Sequence, residues 1–181
     1  MITLYQRLAD SLSRQEWILP TLARLVFAAV LLGYFWSSAL TKLGDEPFSP
    51  SVGAYAQIFP RAMEAAGFDP SKMGALRWLI VLAGTWAEFA LPTLIVLGLL
   101  TRFAALGMAG FVAVQSLTDV FGHGVGFGAW FDRASDAVIA DQRALWMLLL
   151  AVLVVKGAGP LSADRLLGNF LRPVATSRVA A

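Results

Sequence analysis

The sequence predicts an all-α fold, a bundle of four transmembrane helices with short amphipathic helices at the N-terminus, in the first outer loop and at the C-terminus. Composition is the first reason, because 58% of the 181 residues are hydrophobic and only 14% are charged, compared with about 25% charged in soluble domains. The second reason is that four long apolar stretches alternate with charged or proline-rich segments. A soluble bundle would keep a polar stripe on each helix, and residues 91–100 have none.

The composition also limits the chemistry of the chain. There is no cysteine, so it carries no disulfide, no thiolate nucleophile and no Cys-ligated iron–sulfur cluster. A net charge of +2 is too balanced for a nucleic-acid surface, and no nucleic-acid partner is predicted. The single histidine, His123, lies in a glycine-rich loop with no other ligands at metal-binding spacing, so no metal site is predicted there.

Residues 1–181 are predicted to form one integral membrane domain, whose segments follow in order. Residues 1–17 are expected to lie on the membrane surface as an amphipathic helix, because Leu4, Leu8 and Leu12 share one helical face. A helix of about 20 residues crosses the apolar core of a bilayer. The predicted spans cover about 22–43, 76–99, 101–121 and 136–157, and 158–181 form a tail.

The connections between the spans carry turn and cap signals. Gly98 is expected to end the second span and Thr101 to cap the third, which gives a tight hairpin. Asp69 and Pro70 form a cap followed by a first-turn proline, and they predict a helix start near residue 71. The loop of about 35 residues between the first two spans is expected to be ordered, because residues 55–59 and 62–66 are apolar enough to pack on the bundle.

The distribution of basic residues predicts the orientation. Eight of the 14 Lys and Arg residues lie on the side that carries both termini, and six lie on the opposite side. Because cytoplasmic loops carry an excess of Lys and Arg, both termini and the tail 158–181 are predicted to be cytoplasmic.

One acidic residue, Glu88, lies in the middle of the second span. A charge at a helix centre costs about 2.5 to 3.5 kcal/mol on insertion scales, but twelve Leu, Ile, Val and Phe residues between Leu79 and Leu100 offset this cost. The helix is therefore expected to insert with Glu88 facing a partner inside the bundle. Pro92 supplies no N–H to the carbonyl of Glu88 and is expected to kink the helix there.

Counting about 1.5 Å per residue from the membrane edge predicts a polar layer at the depth of Glu88, with members from all four spans. Arg143 is the expected partner of Glu88, because a guanidinium binds a carboxylate with two hydrogen bonds. Lys42 is the alternative partner, since its long stem reaches toward that depth. The remaining members of the predicted layer are Gln115, Ser37 and Ser38.

Two interpretations of this layer stay open. It is either a structural contact that fixes helix register, or a proton, quinone or small-molecule site that opens toward the outer side. No catalytic residue is assigned.

Short motifs follow one another in a fixed order along the chain: Arg24 and Ser38-x-x-x-Lys42-Leu in the first span, Gly67-Phe-Asp-Pro70 before the second, Glu88-x-x-x-Pro92 and Gly98-Leu-Leu-Thr101-Arg102 up to the hairpin, and Gly157-Ala-Gly-Pro160-Leu-Ser-x-Asp164 after the fourth. With these motifs the chain resembles the DoxX family of small bacterial membrane proteins with four helices. The resemblance implies a multi-pass protein of the bacterial inner membrane.

The family is similar to the small membrane subunit of a thiosulfate:quinone oxidoreductase, and relatives are linked to oxidative-stress and copper-handling systems. Together with a polar layer that lacks a complete set of catalytic residues, the resemblance favours a non-catalytic accessory or small membrane subunit of a redox or metal/oxidative-stress system that docks a protein partner. A quinone-like molecule near Glu88 is the one cofactor considered. The first alternative is a quinone-linked oxidoreductase subunit in which Glu88 and Arg143 handle protons, and the second is a small-solute transporter. A homo-oligomer remains open.

Overall fold

The computed structural model describes residues 4–7, 10 and 15–171. Within these residues the regular secondary structure is helical and there is no strand. A single isolated bridge pairs Leu43 with Pro50. Four of the described helices are long and apolar enough to cross a membrane. The predicted all-α bundle of four transmembrane helices is confirmed.

The helices are numbered here in chain order. Four of them are of transmembrane length: α1 (Ile18–Lys42), α4 (Pro70–Leu97), α5 (Thr101–Gly122) and α6 (Val138–Lys156). Three are short: α2 (Val52–Ile58) and α3 (Pro60–Ala65) in the first loop, and α7 (Ala163–Leu171) after the last span. Of the predicted N-terminal helix, residues 4–7 and 10 are helical, whereas 1–3, 8–9 and 11–14 lie outside the described residues, as do 172–181 of the tail.

The four long helices form a closed arrangement in which α1 and α5 each pack against both α4 and α6. The end of the bundle where α1 and α5 begin is called the terminal side below, and the opposite end, which carries α2 and α3, is called the loop side. Large side chains from all four helices fill the centre of the bundle. They include Phe27, Leu31, Phe35, Ile95, Met108, Val112, Leu150 and Leu153.

The outer faces of the bundle remain apolar and uncovered. In the most apolar window of each long helix, no more than 28% of the residues are buried within the protein. Exposed side chains such as Leu25, Leu106 and Leu148 are more than half accessible. These faces need a hydrocarbon environment, because water around so large an apolar surface is unfavourable. The chain is a multi-pass integral membrane protein.

On the terminal side, Arg24 of α1 caps the C-terminal end of α4. Its guanidinium donates to the carbonyl oxygens of Ile95 (3.1 Å) and Val96 (2.5 Å), and also to those of Ala158 (2.8 Å) and Leu161 (2.5 Å) after α6. The last carbonyls of a helix lack intrahelical donors, so this single side chain satisfies α4 and fixes the chain that follows α6.

The α4–α5 hairpin is tight, as predicted, but its cap differs from the prediction. Gly98 adopts a left-handed conformation with φ of 71°, and its N–H returns to the carbonyl of Ile95. The carboxylate of Asp164 accepts the N–H groups of Leu100 (2.7 Å) and Thr101 (3.0 Å). Thr101 was expected to cap α5 and does not, because it is the first residue inside the helix and a distant carboxylate has taken the capping position.

On the loop side, the first loop folds onto the bundle. Ser51 caps α2 through the N–H of Ala54 at 3.1 Å, and Tyr55 and Met63 pack against Val81 of α4. The Asp69 side chain accepts from the N–H and hydroxyl of Ser71, and these hydrogen bonds lower the pKa of that carboxyl. The loop is therefore anchored over one end of the bundle.

We expect Arg24→Lys to lower the free energy of unfolding by about 2 to 4 kcal/mol, because one ammonium cannot bridge carbonyls on two separate segments. The measurement is titration of the purified protein with a denaturing detergent, followed by circular dichroism. The exposed Arg77→Lys on the loop side is the control and should change stability by less than about 0.5 kcal/mol. Equal stability of the Arg24→Lys variant and the wild type would contradict this role of Arg24.

Candidate functional site

A buried ion pair joins α1 and α4 within the membrane-spanning part of the bundle. The ammonium of Lys42 lies 3.0 Å and 2.9 Å from the two carboxylate oxygens of Glu88. The same ammonium donates to the hydroxyl of Ser38 at 2.6 Å. The side chains of Lys42 and Glu88 are only 6% and 3% exposed. Both charges are thus removed from lipid and compensate each other.

The preferred partner of Glu88 was Arg143, and this expectation is wrong. Helical side chains lean toward the N-terminus of their own helix. Lys42 stands at the last turn of α1, so its stem runs back into the bundle toward Ser38 and reaches Glu88. Arg143 stands near the start of α6, so its side chain leans outward to the loop side, away from the level of Glu88.

Arg143 instead forms a second ion pair with Asp119 of α5. Its guanidinium also donates to the hydroxyl of Ser116 at 3.1 Å. Both members of the pair come from π-helical turns, Thr118–Gly122 and Val138–Arg143, a geometry that is frequent at functional sites. The Nε atom of Arg143 is buried and has no hydrogen-bond partner, which leaves one charged donor available.

Gln115 and the two serines of the predicted layer differ in their placement. The amide Nε2 of Gln115 donates to the hydroxyl of Tyr34 at 3.1 Å. The carbonyl oxygen of the same amide, Oε1, is buried and has no hydrogen-bond partner. Ser38 contacts Glu88 at 3.4 Å. Ser37 is exposed on the outer face of α1 and does not reach the other polar groups, because it is one residue, or about 100°, away from Ser38 around the helix.

Pro92 lies inside α4, and the helix continues through it to Leu97. The proline is buried beside Glu88 on the same helical face, together with Thr85. The hydroxyl of Thr85 donates to the carbonyl of Val81 at 2.8 Å, within its own helix. Neither residue supplies a free polar group to the site.

A cavity of about 480 Å³ connects the two ion pairs. Residues of α1, α2, α4, α5 and α6 line it, with apolar walls and a few polar groups. The polar and charged members are Tyr34, Ser38, Lys42, Gln57, Glu88, Gln115, Thr118, Asp119, His123 and Arg143. A mainly apolar pocket with a few convergent polar groups is the usual form of a small-molecule site.

One wall of the cavity opens toward the surface of the bundle between α4 and α5. Ile80 and Val114 line the cavity and are 44% and 62% exposed. Gly84, Gly107 and Gly110 also line the cavity. A Cβ added at Gly110 would meet no atom within 4 Å, whereas one at Gly107 would lie 3.2 Å from Leu91. Ile80 and Val114 belong to the exposed apolar outer face of the bundle.

His123 lies at the loop-side rim of the cavity. Its Nε2 atom is 2.9 Å from the carbonyl oxygen of Gln57. A carbonyl only accepts hydrogen bonds, so Nε2 carries the proton. The contact joins the glycine-rich loop after α5 to α2 at the loop-side rim of the cavity.

Five polar residues at the site were not predicted from the sequence: Tyr34, Gln57, Ser116, Thr118 and Asp119. Asp119 had a detectable signal, because it follows Gln115 by four residues and therefore shares its helical face. Tyr34 similarly precedes Ser38 by four residues. Ser116 had no such signal, since its role depends on the position of α6 relative to α5.

These features define a multi-pass membrane protein with a polar, ion-paired cavity inside a four-helix bundle. The model of the DoxX family matches residues 19–124, more than half of the chain, and the chain belongs to this family. The match includes α1, α4 and α5, whereas α6 and the motif from Gly157 to Asp164 lie beyond it. No curated protein and no solved structure matches the chain.

We expect removal of either partner of the α1–α4 ion pair to be strongly destabilising. Lys42→Met or Glu88→Gln leaves an uncompensated buried group, so each should lower the free energy of unfolding by about 3 to 5 kcal/mol. The double variant Lys42→Met/Glu88→Gln should recover a large part of this loss. Denaturing-detergent titration of all four proteins gives the coupling energy.

The exposed pair of Lys72 and Asp69 provides the control for this cycle. Nζ of Lys72 lies 3.7 Å from Oδ2 of Asp69, and the two side chains are 63% and 43% exposed. Lys72→Met should therefore lower the free energy of unfolding by less than about 1 kcal/mol. Additive losses in the double variant of Lys42 and Glu88 would contradict the pairing.

Proposed function

We propose that this protein is an accessory membrane subunit of a redox or metal/oxidative-stress system, and that its cavity binds a quinone-like molecule near Glu88. The observation that carries the proposal is the cavity itself, which is lined by two ion pairs and by Arg143 and Gln115, each with a buried polar atom that has no hydrogen-bond partner. A purely structural polar layer would be expected to satisfy its own buried donors and acceptors.

The lining of the cavity fits a quinone in both of its chemical forms. A quinone is an apolar ring with carbonyl oxygens that accept hydrogen bonds, and the free Nε–H of Arg143 is a buried donor suited to one of them. The reduced form carries hydroxyl groups, for which the unpaired Oε1 of Gln115 is an acceptor. Phe111, Ile80 and Leu91 supply apolar contacts for the ring and its tail.

The lateral opening between α4 and α5 supports a ligand that arrives from the lipid phase. Quinones with isoprenoid tails dissolve in the bilayer core, and the exposure of Ile80 and Val114 supports an entrance from that side. At this wall, Gly110 leaves open space beside the cavity.

An accessory role is favoured over catalysis because the chain lacks cysteine and therefore performs no thiol–disulfide exchange of its own. A bound quinone supplies a two-electron acceptor, and the electrons would come from a partner protein. The residues of this chain bind and orient the ring, and they keep the ion pairs away from lipid. Proton handling is the second candidate, and it is favoured by the fact that two carboxylates, Glu88 and Asp119, face the same cavity.

The proposal is tested by filling the cavity without changing a polar group. Gly110→Leu places a side chain in open space at the cavity wall, so it should weaken binding of a short-tailed ubiquinone analogue at least about tenfold. Binding is measured by quenching of tryptophan fluorescence in mild detergent. The unfolding midpoint should stay near that of the wild type.

Gly33→Leu is the matched control. Gly33 is also an exposed helical glycine with no atom near its added Cβ, but it lies on α1 and does not line the cavity. This variant should bind the quinone like the wild type. Absence of quinone binding by the wild type, or equal binding by Gly110→Leu, would overturn the proposal, and organic extraction of the purified protein gives an independent test for bound quinone.

A further inference from the structure

A second pocket lies on the terminal side, at the opposite end of the bundle from the polar cavity. It has a volume of about 550 Å³ and is formed by the start of α5, the end of α6 and the chain that leads into α7. Arg102, Lys156 and Arg165 line it and are exposed. Asp164 is the acidic residue of its lining, and its carboxylate is occupied by the N–H groups of Leu100 and Thr101. The pocket therefore has an excess of positive charge.

An unpartnered hydroxyl provides an independent indication of a ligand. Thr101 lines the pocket, its side chain is 1% exposed, and its Oγ1 atom has no hydrogen-bond partner. A buried hydroxyl without a partner is rare and costly.

A glycine positions one of the cations. Gly157 has a positive φ of 81°, and a Cβ added there would lie 3.3 Å from the Nε atom of Arg102. The guanidinium of Arg102 thus lies directly against the backbone at the end of α6. Lys156, the preceding residue of that helix, lines the same pocket.

The rim of the pocket is apolar and exposed. Leu100 and Phe103 belong to its lining and are 57% and 76% exposed, and Leu161 beside it is 74% exposed. In α7, Leu166 and Leu167 are 62% and 47% exposed. Cations beside exposed apolar residues at the end of a membrane bundle match the boundary between headgroups and acyl chains.

We propose that this pocket binds the phosphate of an anionic phospholipid, with the headgroup at Arg102, Lys156, Arg165 and the hydroxyl of Thr101, and the acyl chains along Phe103. Lysine and arginine pockets between membrane helices are suited to such headgroups. The apolar rim favours a lipid over a soluble phosphate ion. The inference does not depend on the quinone proposed for the other cavity.

The test compares lipid binding by the purified full-length protein and its variants in mild detergent. Phosphatidylglycerol is titrated in mixed micelles, and its adducts are counted by native mass spectrometry while the unfolding temperature is followed. The wild type should bind phosphatidylglycerol and gain stability, whereas phosphatidylcholine should have little effect. Lys156→Gln/Arg165→Gln should weaken phosphatidylglycerol binding at least about tenfold.

Lys72→Gln/Arg77→Gln is the matched control, because it removes the same two charges on the loop side. This control should retain the lipid affinity of the wild type.

Thr101→Val keeps every charge and should still weaken binding, which separates a specific phosphate contact from general charge attraction. Equal losses in the control and the pocket variant, or unchanged binding in the pocket variant, would overturn the proposal. Stabilisation by inorganic phosphate alone, to the same degree, would assign the pocket to a soluble anion and also overturn it.

Discussion

The structure depends on the need to neutralise charge inside a hydrocarbon environment. Glu88 stands in the middle of a membrane-spanning helix, and Lys42 reaches it from the neighbouring helix at hydrogen-bond distance. Asp119 and Arg143 form the corresponding pair between α5 and α6. Each ion pair fixes the register of two adjacent helices, because sliding either helix by one turn would leave a charge facing lipid. The four helices are thus tied in two pairs, and the cavity lies between the pairs.

The two ends of the bundle serve different purposes. On the terminal side, Arg24 and Asp164 satisfy the free carbonyl and N–H groups at the end of α4 and the start of α5, so these two helices meet in a tight hairpin. On the loop side the same helices separate around the polar cavity. The motifs that carry the family resemblance lie at both ends of the bundle: Arg24 and Gly98 are on the terminal side, and Lys42 and Glu88 line the cavity on the loop side. This division accounts for a family pattern that contains both packing residues and polar residues.

The proposed functions follow from where each pocket lies relative to the bilayer. The first cavity combines unpaired polar atoms with a mouth between apolar helix faces, which supports a ligand delivered by the membrane. The second pocket combines cations with an apolar rim at the membrane surface, which supports a lipid headgroup. Both assignments treat the bilayer as the source of ligands, and neither requires the chain to carry out electron transfer alone. A partner protein would supply the chemistry that this sequence lacks.

The sequence by itself determined the fold class, the hairpin at Gly98 and the family, because apolar length, turn chemistry and short motifs are local properties of the chain. It also identified Glu88 as a residue that needs a partner, since the cost of a charge in a membrane helix does not depend on the fold. Only the tertiary structure decided that the partner is Lys42 rather than Arg143. That choice depends on the direction in which each helix crosses the membrane, because side chains lean toward the N-terminus of their own helix. An estimate of depth from the number of residues along the helix does not include this lean. The capping of α5 by Asp164, 63 residues away from Thr101, likewise depends on a contact between segments that the sequence keeps far apart.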